Sequence, residues 1–164
     1  MDVFMKLYLH TLESIGVDFF WNDSKGNNDI NNYEEKKYTP EEFETVLTLP
    51  GHKIFALSCG DDFGDYGIVG FGQYKIDGDA LIFTEFAMSC RVAGKFVESA
   101  LFSHLLQNTG CSEGSFSIQK TKKNILLRNT LESIGFQKQS ENDVIISYHF
   151  QRDLSHPDLV QITS

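Results

Sequence analysis

The stretch from Glu85 to Gly110, EFAMSCRVAGKFVESALFSHLLQNTG, limits the folds open to this chain more than any other. The β-formers Leu81, Phe83 and Phe86 lead into a small-residue, basic turn. Val97, Leu101, Phe102 and Leu105 then recur three or four residues apart, the spacing of a helix with one apolar stripe. Gly110 supplies the C-terminal stop. A strand that feeds a helix through such a turn presents backbone N–H groups and the positive end of the helix dipole to whatever lies in front of it. An anion belongs there.

The flanking segments supply a sheet for this unit. Thr39-Pro40-Glu41-Glu42 reads as a helix start, with Thr as N-cap, Pro at the first helical position and an acidic first turn; that helix ends before Pro50-Gly51. His52 to Cys59 reads as a strand, residues 60–65 as an acidic turn, and Tyr66 to Lys75 and Ala80 to Met88 as a hairpin closed by Asp77-Gly78. Ser115 to Lys120 reads as a strand and Thr121 as the cap of a helix reaching Ile134, stopped at Gly135. A last β pair turns at residues 141–143. Upstream, Val17 to Trp21 is β-prone and residues 22–32 read as a polar loop, while Met1 to Val17 fits an extended segment or a short helix equally. Residues 1–150 are expected to form a single domain and residues 151–164 a C-terminal tail.

Composition narrows the function classes. A net charge of −9 argues against a nucleic-acid partner. The basic charge is concentrated, however: residues 91–138 carry seven Lys and Arg against three Glu, a balance of +4 that leaves −13 for the remainder. That places the cations where an anionic cofactor or an acidic carrier protein would approach. No apolar run nears the roughly 20 residues needed to span a bilayer, and the opening MDVFMKLYLH lacks the core of a signal peptide. No membrane association is expected, and the cytoplasm is the expected compartment. Cys59, Cys90 and Cys111 have no paired spacing, and the acidic turn at residues 60–65 lacks the spacing of a calcium loop, so no metal is expected.

The strings SCRVAGKFVE, DDFGDYGIVG, TKKN and SIGF, together with KKYTPEEFETVL, give the chain from about Tyr33 onward a specific resemblance. It is similar to the C-terminal acyltransferase-like domain of FkbH-like proteins, within the Gcn5-related N-acetyltransferase (GNAT) superfamily. The resemblance implies a GNAT-like α/β (α+β) fold, with a mixed, mostly antiparallel central sheet flanked by helices. It also implies a site. In that superfamily the pattern Q/R-x-x-G-x-G/A wraps the pyrophosphate and pantetheine of coenzyme A, and here it reads Arg91-Val92-Ala93-Gly94-Lys95-Phe96, with Phe in the last place. Phe86, Ala87 and Met88 would offer backbone to the pantetheine, and Asn124 of the T-x-x-N string would join the cofactor site. The position that holds a proton-donating Tyr in the family pattern is Leu131. No D-x-D-x-T motif of the phosphatase-like domain carried by FkbH-like proteins occurs.

Two functions from different classes follow. One is an acyltransferase that draws on acetyl-CoA, another acyl-CoA, or the phosphopantetheine of an acyl carrier protein, for a small-molecule acceptor. Glu85, the ionisable residue of the strand entering the motif, is its candidate base. Cys90, beside Arg91 and ahead of a helix start, is a candidate nucleophile, with His104 as the base a covalent route needs. The other is a catalytically inactive GNAT-fold module that docks a carrier protein or partner enzyme, which Phe96 and Leu131 favour. The oligomeric state is not legible.

Overall fold

The computed structural model of the chain describes residues 5–11, 30–32, 40–92, 95–122, 124–154 and 160–163. In order these form β1 (Met5–Thr11), β2 (Ile30–Asn32), α1 (Pro40–Leu47), β3 (His52–Asp61), β4 (Gly64–Asp77) and β5 (Ala80–Ser89). A 3-10 turn (Cys90–Val92), α2 (Val97–Thr109), β6 (Glu113–Gln119), α3 (Ile125–Ile134), β7 (Gln137–Glu141), β8 (Ile145–Gln151) and β9 (Val160–Thr163) follow. Among the described residues the strands make one sheet, ordered β7-β8-β6-β5-β4-β3-β1-β9, with β2 laid beside β5. The β5–β6 and β1–β9 ladders are parallel and the others antiparallel, so the sheet is mixed and mostly antiparallel, as the sequence implied. No helix among the described residues is long and apolar enough to cross a membrane.

Strand alternation sends Phe55 and Leu57 to one face and Ile54 and Ala56 to the other, and all four are buried. The face carrying Phe55 continues across the sheet through Tyr74, Phe83, Phe86, Phe116 and Phe150 and is covered by α2 and α3. An irregularity in β5 makes this possible. The β4–β5 ladder pairs Tyr74 with Phe83 and then Gln73 with Glu85, so Thr84 is an extra residue. The bulge shifts the phase of a period-two strand and puts Phe83 and Phe86 on the same face, their rings 6.4 Å apart. Phe102 of α2 meets them at 5.0 and 5.3 Å. Phe116, Phe136 and Phe150 close around Phe102 from β6, the end of α3 and β8. Two glycines allow this packing: a Cβ on Gly114 would collide with the Phe150 ring, and one on Gly72 with the Phe55 ring.

Several boundaries differ from those read in the sequence. The helix expected from Thr121 begins at Ile125, because Thr121 and Asn124 bond to each other in a turn before it and leave Asn124 at the N-cap position. The polar loop expected through Asn32 ends in the strand β2. Val17 to Trp21 and the Thr39 cap lie outside the described residues. Residues 151–164, expected as a tail, contain the end of β8, a buried Leu154 and the strand β9 paired with β1. Arg152 explains the anchorage, since its Nη2 donates to the carbonyls of Gly110 and Cys111 at 2.9 and 2.8 Å, at the C-terminal end of α2.

The aromatic cluster yields a stability test. Phe102→Ala is expected to cost about 3–5 kcal/mol in a denaturant melt, as for other buried Phe truncations. Gly114→Ala is expected to cost roughly 1–3 kcal/mol by overpacking against Phe150.

Candidate functional site

Among the described residues the sheet opens between β5 and β6. β4 accompanies one edge of β5 from Ala80 to Met88. On the other edge β6 accompanies β5 only from Ala80↔Glu113 to Phe83↔Phe116, then continues to Gln119 in partnership with β8. The bulge at Thr84 falls where the two parallel strands part, as expected of a feature that bends its strand. The C-terminal halves of β5 and β6 thus form a wedge, and the turn from Ser89 to Phe96 carries the chain from one lip of it into α2. Beyond the parting, the edge of β5 at Ala87–Ser89 is taken by β2, through Asn32↔Ala87, Asn31↔Met88 and Ile30↔Ser89. Phe86 is a core residue, and Ala87 and Met88 are buried as well.

The turn holds its basic residues close to the body of the protein. Arg91 donates from Nε to Ser89 Oγ at 3.0 Å, from Nη1 to the Tyr66 carbonyl at 3.1 Å and from Nη2 to the Ile68 carbonyl at 3.4 Å. Lys95 Nζ donates to the Tyr66 hydroxyl at 3.2 Å and sits 4.5 Å above the centre of its ring. That hydroxyl in turn donates to Asp61 Oδ2 at 2.7 Å, which holds the Asp61 carboxyl below the usual carboxylate range. Asp61 Oδ1 accepts the N–H groups of Phe63 and Gly64, so this acidic turn is organised by its own hairpin. Val92 is buried in the core, and Ala93 and Gly94 lie outside the described residues.

Phe96 precedes α2 with φ 62 and ψ 15, the left-handed region, and is the only non-glycine with positive φ among the described residues. A glycine is favoured at such a position because it has no Cβ to clash. The side chain is 45% exposed, so the ring lies largely in solvent at the helix start. One position into the helix from Val97, Glu98 is buried, and its Oε2 has no hydrogen-bond partner among the described residues. Burial therefore pushes the Glu98 carboxyl above its ordinary range, only partly opposed by its own backbone N–H.

The candidate catalytic groups sit on β5, the 3-10 turn and α2. Glu85 is half-buried on β5, opposite Gln73 and so on the face away from Phe86. Gln73 is buried and accepts the Thr84 hydroxyl at 2.9 Å, forming with Glu85 a polar group at the bulge that sequence reading missed. A polar Gln within the apolar run YGIVGFGQYK was the available signal. Cys90 opens the 3-10 turn, but its side chain lies outside the described residues. His104 Nε2 is 2.7 Å from Asn108 Nδ2, and burial pushes its imidazole down. The buried Cys59 thiol is pushed up to about 11, which makes it a poor nucleophile.

On the far side of the wedge, Asn124 acts as a fastening. It donates to the Gln119 carbonyl at 2.6 Å and accepts the Thr121 N–H at 3.2 Å, while Thr121 Oγ1 accepts the Asn124 N–H at 3.3 Å. Leu131 is fully buried in the core. Tyr148 is buried in the same core, and its hydroxyl donates to Glu132 at 2.9 Å. Burial and the Glu132 carboxylate hold its proton well above the ordinary phenol range.

A mostly antiparallel sheet that opens between two parallel strands, with a helix starting at the mouth, is the plan of the GNAT fold, and the chain has that fold. Similar solved structures include a domain from Methanocaldococcus jannaschii (TM-score 0.66, 15% identity, 90% of this chain and 99% of that one). Another is the ribosomal-protein-alanine N-acetyltransferase from Escherichia coli (TM-score 0.61, 13% identity, 93% and 98%). A third is the N-acetyltransferase PseH from Campylobacter jejuni in complex with acetyl coenzyme A (TM-score 0.58, 12% identity, 89% and 99%). No family model matches the sequence, and no curated protein matches it.

Two outcomes follow from the helix start. A left-handed residue costs about 1–2 kcal/mol and the extra freedom of an unfolded glycine takes back roughly 0.5–1 kcal/mol. Phe96→Gly is therefore expected to leave the melting temperature unchanged or raise it, and a fall of several degrees would show the ring to be packed. For Glu98, a folded-state pKa raised above the ordinary 4.5 means that the folded protein binds a proton the unfolded chain releases. Its contribution is present below pH 4.5 and is lost as pH rises through the folded value. Glu98→Gln is expected to stabilise the protein at neutral pH and to flatten stability against pH above 4.5, measured by thermal melts across that range.

Proposed function

We propose that the chain is an acyltransferase that uses an acyl-CoA thioester, with the arm of the cofactor in the wedge between β5 and β6 and its phosphates before the start of α2. The observation that carries this reading is the wedge: a bulged strand parts from its parallel neighbour and leads through a basic turn into a 13-residue helix. Backbone N–H groups at a helix start favour phosphate, and a strand edge favours the secondary amides of pantetheine. The likeness to acetyltransferases solved with acetyl coenzyme A or coenzyme A supports the same class of donor. Glu85, placed at the bulge, is the proposed base toward an amine acceptor, assisted through the polar group of Gln73 and Thr84. The phosphopantetheine of an acyl carrier protein presents the same arm, and the resemblance to FkbH-like proteins favours a carrier as donor or partner.

A binding module without activity is the second reading. It is favoured by Leu131 in the core, by the Tyr148 hydroxyl held on Glu132, and by Phe96 at the helix start.

Calorimetric titration of coenzyme A into the wild type and Phe96→Gly distinguishes the two. The acyltransferase reading expects binding that tightens in Phe96→Gly, because removal of the side chain restores close approach of the backbone. It also expects acetyl transfer to a panel of amines that Glu85→Gln lowers by about 10²–10⁴-fold, the usual worth of a general base. Absence of coenzyme A binding in both proteins would leave the binding module.

A further inference from the structure

The edge of β5 that β6 vacates is occupied. Over Ala87–Ser89 it pairs with Ile30–Asn32 in an antiparallel ladder, while β4 holds the opposite edge through Gly70↔Met88 and Phe71↔Ala87. The departure of β6 after Phe83↔Phe116 creates this edge, and the partner that fills it comes from a distant part of the chain. A strand edge presents N–H and C=O groups in a fixed order and pairs with any extended chain that offers their complement. Pantetheine is such a chain, since its secondary amides are those of a peptide. Two extended chains cannot pair with one edge at the same residues.

We propose that Ile30–Asn32 is an autoinhibitory strap. It takes the place of the thioester arm along Ala87–Ser89, and coenzyme A or a carrier's phosphopantetheine enters only when it has left. The inference rests on the acyltransferase reading and adds regulation to that site. Among the described residues the strap pairs with β5 at three positions, against eight for β4, so its ladder is the shorter of the two. The apparent affinity of the arm is then its intrinsic affinity reduced by the fraction of molecules with the strap released. A partner that displaced Ile30–Asn32 would raise affinity without touching the cofactor.

Hydrogen–deuterium exchange over residues 30–32, with and without saturating coenzyme A, tests the proposal together with calorimetry on the wild type and Asn31→Pro. Proline is disfavoured within a strand ladder and weakens the strap. Coenzyme A is expected to speed exchange over residues 30–32, and Asn31→Pro to bind it about tenfold more tightly, the factor for an open fraction of about one in ten. Binding of coenzyme A with residues 30–32 still protected and no gain in Asn31→Pro would overturn the strap while leaving the acyltransferase reading intact. No binding by either protein would overturn both. Should Asn31→Pro fail to fold, exchange in the unmodified protein decides alone.

Discussion

The bulge at Thr84 is the constraint on which the remainder of the architecture depends. Without the extra residue, strand alternation would place Glu85 rather than Phe86 beside Phe83, and the ring cluster around Phe102 would lose one of its walls. The same residue marks where β5 and β6 separate. Core and cleft therefore have one origin: the phase shift that completes the aromatic layer also opens the sheet. Gln73, whose side chain accepts the Thr84 hydroxyl, satisfies the polar groups that this irregularity places inside the protein.

Local signals made the central elements legible. Pro40 with two acidic neighbours, the Asp-Gly turn at Gly78, the apolar spacing of α2 and the stop at Gly110 each act within a few residues, and the structure contains all of these elements. What was hidden depends on partners far away in the chain. β2 and β9 have three and four residues and exist as strands only because β5 and β1 offer edges to them. The bulge belongs to a register between two strands, which no single strand reveals. At the site, the sequence pattern identified position 96 as one that favours glycine, and the left-handed backbone supplies the reason. It did not reveal that Arg91 and Lys95 reach back to Tyr66, 25 and 29 residues upstream.

Those contacts change the electrostatic picture of the basic segment. Lys95 lies on the hydroxyl that binds Asp61, Lys120 pairs with Glu141 at 2.7 Å, and Lys138 lies 3.5 Å from Glu132 and 3.4 Å from Glu141. Each is an exposed or half-exposed pair that adds little to stability. Their effect is to return part of the segment's surplus charge to acidic neighbours. Arg91 is the exception, since its partners are the neutral Ser89 hydroxyl and the Tyr66 and Ile68 carbonyls, so its charge is not returned to a carboxylate by these bonds.

Arg152 carries a consequence for where the folded unit ends. Its guanidinium holds the two carbonyls that follow α2, those of Gly110 and Cys111, and Leu154, two residues on, is buried against the core and lies near Gly135 at the end of α3. One short segment after β8 thus touches the trailing ends of both helices whose leading ends flank the wedge. A boundary drawn at residue 150 would cut through a brace that the trailing ends of both helices share.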